Sequence, residues 1–316
     1  MRLTIGADIG GTKVATGIVD EHGRILAKIK RPTPAANSDA IADVVGDTIE
    51  ELLERYPDTP VDGIGVGTAG FVDEERSTVV FAPNLAWRDE PLKRRLQQRV
   101  DLPVVIENDA NAAAWGEARF GAGQGTNYVI CITLGTGIGG GIVTDGSLYR
   151  GRFGLAAEVG HYRVVPDGRR CGCGNRGCWE QYASGRALIA EAQDLATTAP
   201  TRARRLLELA QGDPSRIQGA EITQAAKEGD AAALECFRAV GHWVGLGLAD
   251  LAAILDPERF VIGGGVSDAG DILLDPVRES FIKNVTGRAV RRFSDIRTAV
   301  LGAAAGIVGA ADLARR

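Results

Sequence analysis

Near its start the chain runs in short apolar bursts separated by glycine and charge. Leu3–Ile9 reads as a strand, Gly10-Gly11-Thr12-Lys13 as the turn that ends it, and residues 14–19 as a second strand. Asp20-Glu21-His22-Gly23 turns the chain into a third strand over residues 24–29, giving a hairpin meander. The period then changes. Ile41, Val44, Val45, Ile49, Leu52 and Leu53 recur at helical spacing, which predicts a helix capped by Ser38 and running to about Arg55. A Gly-rich strand over Val61–Thr68, a helix after Asp89 and a buried strand over residues 103–106 follow. Asn108-Asp109 sits where that strand meets a helix over about residues 110–120.

The opening pattern then returns. Residues 128–134 read as a strand, 135–141 as a glycine-rich turn, and 142–144 lead into another strand with an Asp145-Gly146 turn. Gly10 matches Gly135, Ile18 matches Val143 and Asp20 matches Asp145 at one constant offset, which suggests two related halves. The remainder is mostly helical. Ala231–Leu255 is apolar on most sides, as expected of a buried helix. Phe260-Val261-Ile262 is a short strand ending in Gly263-Gly264-Gly265, and residues 303–314 form a terminal helix. The alternation of strands and helices predicts an α/β protein, and no linker separates independent modules.

Bulk properties narrow the function. The 316 residues suffice for two modest domains. A formal charge of -5 argues against a nucleic-acid groove. No apolar run reads as long enough to span a bilayer, and no leader precedes the first strand, so a cytoplasmic protein is expected.

Glycine lets the backbone approach a ligand and present bare N–H groups to phosphate oxygens. Gly10, Gly11, Thr12 and Lys13, and then Gly135, Thr136 and Gly137, each pair such amides with a hydroxyl donor. Neither stretch is a Walker A motif or precedes a helix, so P-loop and dinucleotide readings fail. They could be hairpin turns and nothing more, but two related turns with a third glycine cluster favour a nucleotide. Asp8, at the strand end, is placed to hold Mg²⁺ through water. Phosphoryl transfer needs alignment, charge neutralisation and an acceptor for the hydroxyl proton. Asp109 fits that acceptor and Asn108 fits a sugar hydroxyl; the alternative is that Asp109 merely caps the following helix.

His161, Cys171, Cys173 and Cys178 are interleaved with glycines. One imidazole and three thiolates suit a closed tetrahedral Zn²⁺ site of structural kind. Cys131 and Cys236 lie in apolar runs and read as core. Glu158 and Glu180 flank the knuckle and are acceptors suited to sugar hydroxyls.

Residues 8–13, 107–111, 134–139 and the stretch from Gly160-His161 through Cys171 to Glu180 together resemble the ROK family of bacterial sugar kinases and repressors, in particular its actinobacterial glucokinase branch, and the likeness runs over the whole chain. The resemblance implies an actin/hexokinase-type (ribonuclease H-like) fold of two α/β domains with an interdomain cleft. Residues 1–110, completed by 300–316, would form the smaller domain, and 111–299 the larger one with the knuckle at 161–178. It implies Asp109 as general base, with Asn108, Glu158, His161, Glu180 and the backbone at Gly70 contacting sugar. Gly11, Thr12, Thr136, Gly137, Gly264 and Gly265 map to nucleotide contacts. The implied reaction is transfer of the γ-phosphoryl of Mg-ATP to the 6-hydroxyl of glucose by a homodimer or homotetramer. Alternatives are a kinase for another hexose or an N-acetylhexosamine, polyphosphate as donor, or a sugar-sensing regulator without catalysis. The first strand begins too early for the helix-turn-helix of the repressors, and Asp109 is intact, so the enzyme is expected.

Overall fold

The computed structural model describes residues 2–34 and 37–316. The meander appears as β1 (Leu3–Ile9), β2 (Lys13–Val19) and β3 (Ile25–Pro32), followed by α1 (Ser38–Arg55) and β4 (Val61–Thr68). The cap of α1 is Asn37 and not Ser38: Asn37 accepts from the N–H groups of Asp39 and Ala40 at 3.2 and 3.3 Å. A small antiparallel sheet follows, made of β5 (Phe71–Val72), β6 (Val79–Ala82) and β7 (Trp87–Glu90). The expected helix after Asp89 starts late, as α2 (Leu92–Gln97). Asp89 has a positive φ of 51° inside β7, and Pro91 precedes the helix. Next come β8 (Val104–Asn108) and α3 (Asp109–Phe120).

Beyond α3 lie β9 (Val129–Leu134), β10 (Ile138–Thr144), β11 (Ser147–Tyr149), α4 (Glu180–Ala183), α5 (Gly185–Thr198), α6 (Arg204–Leu209), α7 (Gly219–Lys227), α8 (Ala231–Leu255), β12 (Arg259–Gly263), α9 (Asp271–Asn284), β13 (Asp295–Thr298) and α10 (Ala305–Leu313). The two large sheets have the orders β3-β2-β1-β4-β8 and β11-β10-β9-β12-β13. Each is therefore a three-strand meander followed by two further strands, in the same spatial order. That is the structural counterpart of the repeat in the sequence. Each glycine turn is closed by a backbone hydrogen bond of 3.0 Å, Gly10 N–H to Lys13 O in the first and the tighter Gly135 N–H to Gly137 O in the second.

The chain forms two compact units: Met1–Cys131, Gly140–Ala157 and Ala299–Arg316 in one, Ile132–Gly139 and Glu158–Thr298 in the other. The sequence boundary at 110 differs from this, because α3 packs into the first unit. A Cβ at Gly309 of α10 would lie 1.7 Å from the Ala112 carbonyl oxygen, so α3 and α10 touch backbone to backbone. In the same way α10 presses on the first sheet at Gly6 and Gly65, where a Cβ would fall 1.9 and 1.8 Å from carbonyl oxygens of α10. Leu3, Ile5, Ile41, Ile49, Ile64 and Ile106 fill the core between that sheet and α1.

In the second unit α8 lies against α9. Gly245 is notched so deeply that a Cβ would stand 2.4 Å from the Val277 carbonyl oxygen. Contrary to the reading that no apolar run is long enough to span a bilayer, α8 is long and apolar enough by length and composition, with mean hydropathy 1.2. Half of that stretch is buried by its own unit, and the helix acts as a core helix.

Candidate active site and metal centre

The register of the first sheet gathers its candidate residues. Ile9 of β1 pairs with Thr68 of β4, and Thr68 pairs with Asn108 of β8, so three parallel strands end in one row. Asp8, the loop at Gly70 and the Asn108-Asp109 junction meet at that row. Ligands of open α/β sheets bind beyond such strand ends. Asn108, and not Asp109, caps α3: its Oδ1 accepts the Asn111 N–H at 3.0 Å. Its Nδ2 donates to the Gly70 carbonyl at 3.0 Å, and Gly70 has a φ of 110°. Asp109 Oδ1 accepts the Ala110 N–H at 2.9 Å. The capping alternative for Asp109 thus falls away.

Electrostatics single out the same pair of carboxyls. Burial pushes Asp109 above the usual carboxylate range, against the opposing Ala110 N–H. Burial and then the nearby Asp109 charge push Asp8 up to about 6, while Lys13 and Lys28 pull it down. Gly306 of α10 leaves room for the Asp8 carboxylate, whose Cγ would be 3.1 Å from a Cβ there. Gly11, Thr12 and Lys13 are exposed at the turn.

In the second unit the knuckle closes as the spacing predicts. The ligand atoms of His161, Cys171, Cys173 and Cys178 all lie within 4.8 Å of one another. Cys173 and Cys178 Sγ are 3.6 Å apart, as are Cys171 Sγ and His161 Nδ1. A tetrahedral ion with Zn–S of about 2.3 Å and Zn–N of about 2.0 Å spaces its ligands roughly 3.5–3.8 Å apart, so the donors fit zinc. Glu180 joins the cluster. Its Oε1 accepts from Cys171 Sγ at 3.1 Å and lies 4.0 Å from His161 Nδ1. Gly137 stands under the same carboxylate, with Oε2 only 2.4 Å from where a Cβ would be. Glu158 is exposed one short turn before His161, and its carbonyl accepts the His161 N–H at 3.0 Å.

A pocket of about 520 Å³ opens beside the second glycine turn, lined by Gly135, Thr136, Arg186, Gln218, Thr223 and Gly265 among others. Gly185 N–H donates to the Gly135 carbonyl at 2.8 Å and fixes the start of α5 against the turn. Gly264 supports the floor: with φ of 87°, a Cβ on it would lie 2.5 Å from the Leu134 carbonyl oxygen. Arg186, Gln218 and Thr223 escaped the sequence reading, because Arg186 on α5 and the Gln218–Thr223 stretch at the start of α7 lie far apart in the chain and share no local motif. The capping box of Gln218 and Glu221 at the start of α7 was the one available signal.

The ROK family profile matches residues 4–316. The chain belongs to the ROK family. Among ROK proteins it is 53% identical over 315 residues to the glucokinase of Streptomyces coelicolor, covering 100% of this chain and 98% of that one. A solved ROK family glucokinase from Streptomyces griseus, in complex with glucose and AMPPNP, superposes with a TM-score of 0.88 at 55% identity over 99% of each chain. The xylose repressor of Bacillus subtilis is 30% identical over 284 residues, which is 89% of this chain and 69% of the repressor. The fold is the actin/hexokinase-type α/β fold of the ROK sugar kinases.

Proposed function

We propose that this ROK protein is a glucokinase that moves the γ-phosphoryl of ATP to the 6-hydroxyl of glucose. The observation that carries the reading is full-length identity of 53–55% to glucokinases, one of them solved with glucose and an ATP analogue. The site chemistry agrees. A carboxyl kept basic by burial suits a general base, and Asp109 would take the proton of the attacking hydroxyl. Asn108 retains a second N–H and a second lone pair for sugar hydroxyls after its two internal bonds. Gly70, Glu158, His161 and Glu180 would complete the sugar contacts. Mg²⁺ accompanying ATP supplies charge neutralisation on the phosphates. Asp8 would hold it through water, and the amides of Gly10–Lys13 would receive phosphate oxygens.

In the second unit Thr136 and Gly265 would hold nucleotide at the pocket, with Gly137 and Gly264 shaping the backbone around it. Zn²⁺ would be held by His161, Cys171, Cys173 and Cys178, and its work would be to fix the loop that carries His161 and Glu180. The five free cysteines suit a reducing cytoplasm. Homo-oligomerisation, implied by the resemblance, is checked by sedimentation of the purified chain.

The deciding experiment is coupled ADP release with Mg-ATP across a sugar panel. Glucose should give the highest kcat/KM, ahead of mannose, fructose and N-acetylglucosamine. Binding of sugar with no ADP release would favour the second reading, a regulator of the xylose-repressor kind.

A further inference from the structure

Glu107 lies behind the Asn108-Asp109 junction and has no part in the proposed chemistry. It is 1% exposed. Its Oε2 is 2.8 Å from Arg150 Nε and 3.3 Å from Arg76 Nε. Its Oε1 accepts the Asn108 N–H at 2.9 Å and Asn111 Nδ2 at 3.1 Å. One oxygen of this buried carboxylate is thus hydrogen-bonded twice, while the other lies within ion-pair distance of two guanidinium groups without a hydrogen bond of good geometry, so four groups from three stretches of chain surround it.

Those stretches frame the strand ends. Arg150 also donates to the carbonyls of Asp73 and Glu74, at 2.8 and 3.1 Å. Arg76 holds a positive φ of 55°, and its carbonyl accepts the Ile106 N–H at 3.1 Å. The turn at 73–76, which follows Gly70 and β5, is thereby locked to β8 by side chain and backbone alike. The opposite end of that segment is locked by Asn108 Nδ2 on the Gly70 carbonyl.

Buried ion pairs contribute little to stability compared with apolar residues of similar volume, because taking the charges out of water costs about as much as their attraction returns. Two arginines around one glutamate leave a net positive charge besides. Such a cluster is better suited to fixing geometry. We infer that Glu107 is a positioning residue of the sugar site: clasped by Arg76 and Arg150, its carboxylate fixes Asn108 and, through Asn108, the Gly70 carbonyl. This rests on the reading of Asn108 and Gly70 as sugar contacts.

A double-mutant cycle tests it, read by calorimetric glucose Kd and by steady-state kinetics on the full chain. Glu107→Gln should weaken glucose binding by roughly 10–100-fold, as expected when a contact group is displaced by about an ångström, with the KM for ATP within about twofold of the parent. In an Asn108→Ala background the same substitution should change glucose Kd by less than about threefold, because the group it positions is gone. If Glu107→Gln unfolds, Glu107→Gln combined with Arg150→Met keeps the net charge of the cluster and should reproduce the glucose defect at a near-parent melting temperature. An unchanged glucose Kd in either form, or a full effect persisting without Asn108, would overturn the inference. A parent that binds glucose but releases no ADP would instead sink the kinase reading, while the cycle on Kd would still decide the role of Glu107.

Discussion

Asn108 Oδ1 accepts the backbone N–H of Asn111 at 3.0 Å, so the first turn of α3 is capped by the residue before Asp109. Asp109 is thereby freed of the commonest structural duty of an aspartate at a helix start. Replacing it should spare the fold.

Asp109→Asn should accordingly lower kcat by about 10²–10⁴-fold, with glucose Kd and melting temperature close to the parent. Rapid-quench measurement of the phosphoryl step checks this. Near-normal turnover would remove Asp109 from the role of base.

Asp8 makes stability depend on pH in an unusual sense. Its folded pKa of about 6 lies above the ordinary 3.8, because of burial and the Asp109 charge. Between these values the folded chain holds a proton that the unfolded chain has lost, so stability falls as pH rises from about 4 to 6. Asp8→Asn should flatten that limb and stabilise the protein at pH 7.5 by up to roughly 2–3 kcal/mol. Activity should drop in the same variant. Urea titrations across pH 4–8 would show the two curves converging at the acid end; parallel curves would refute the assignment.

Zinc removal should act on sugar before nucleotide. Glu180 Oε1 lies 3.1 Å from Cys171 Sγ and 4.0 Å from His161 Nδ1, packed against two of the metal ligands, so a loosened knuckle displaces both Glu180 and His161. Cys173→Ser should lose the metal and raise glucose KM by about 10–100-fold, with a smaller change for ATP. Metal analysis, melting curves and kinetics on one preparation separate loss of zinc from loss of fold. A folded, zinc-free variant with parental glucose KM would show that the knuckle does not organise the sugar site.

Gly264→Ala should damage the nucleotide side. The new Cβ would meet the Leu134 backbone at about 2.5 Å in a left-handed conformation. A cost of roughly 1–3 kcal/mol in stability is expected, with a raised KM for ATP and a glucose Kd near the parent. Chemical denaturation and nucleotide titration check the two halves of that statement.

Much of this arrangement could be read from local pattern. The strands of each meander show as apolar runs broken by glycine turns, and the four knuckle donors fall within one short stretch. Local pattern is silent where position is set by distant neighbours. Ser38 and Asn37 are equally good caps on paper, and the extended backbone at Asn37 together with its bonds to the Asp39 and Ala40 N–H groups chooses. Asp89 reads as a helix start until Pro91 and the pairing of β6 with β7 claim it for a strand. Glu107, Arg76 and Arg150 share no periodicity, and only the folded chain brings them together. Arg186 and Gln218 join the pocket for the same reason.

The packing of α10 onto Gly6, Gly17 and Gly65 has a consequence for synthesis. The glycine-floored groove in the first sheet waits for a helix at the far end of the chain. At translation speeds of about 5–20 residues per second, the groove stands open for roughly 10–40 s after α3 has been made. During that interval Ala15 and Val19, later covered by Ile307 and Ala311, face the solvent or a chaperone. The unit that is translated first is therefore the last to be completed, and premature termination near residue 300 would release a protein with an intact second unit and an unroofed first sheet.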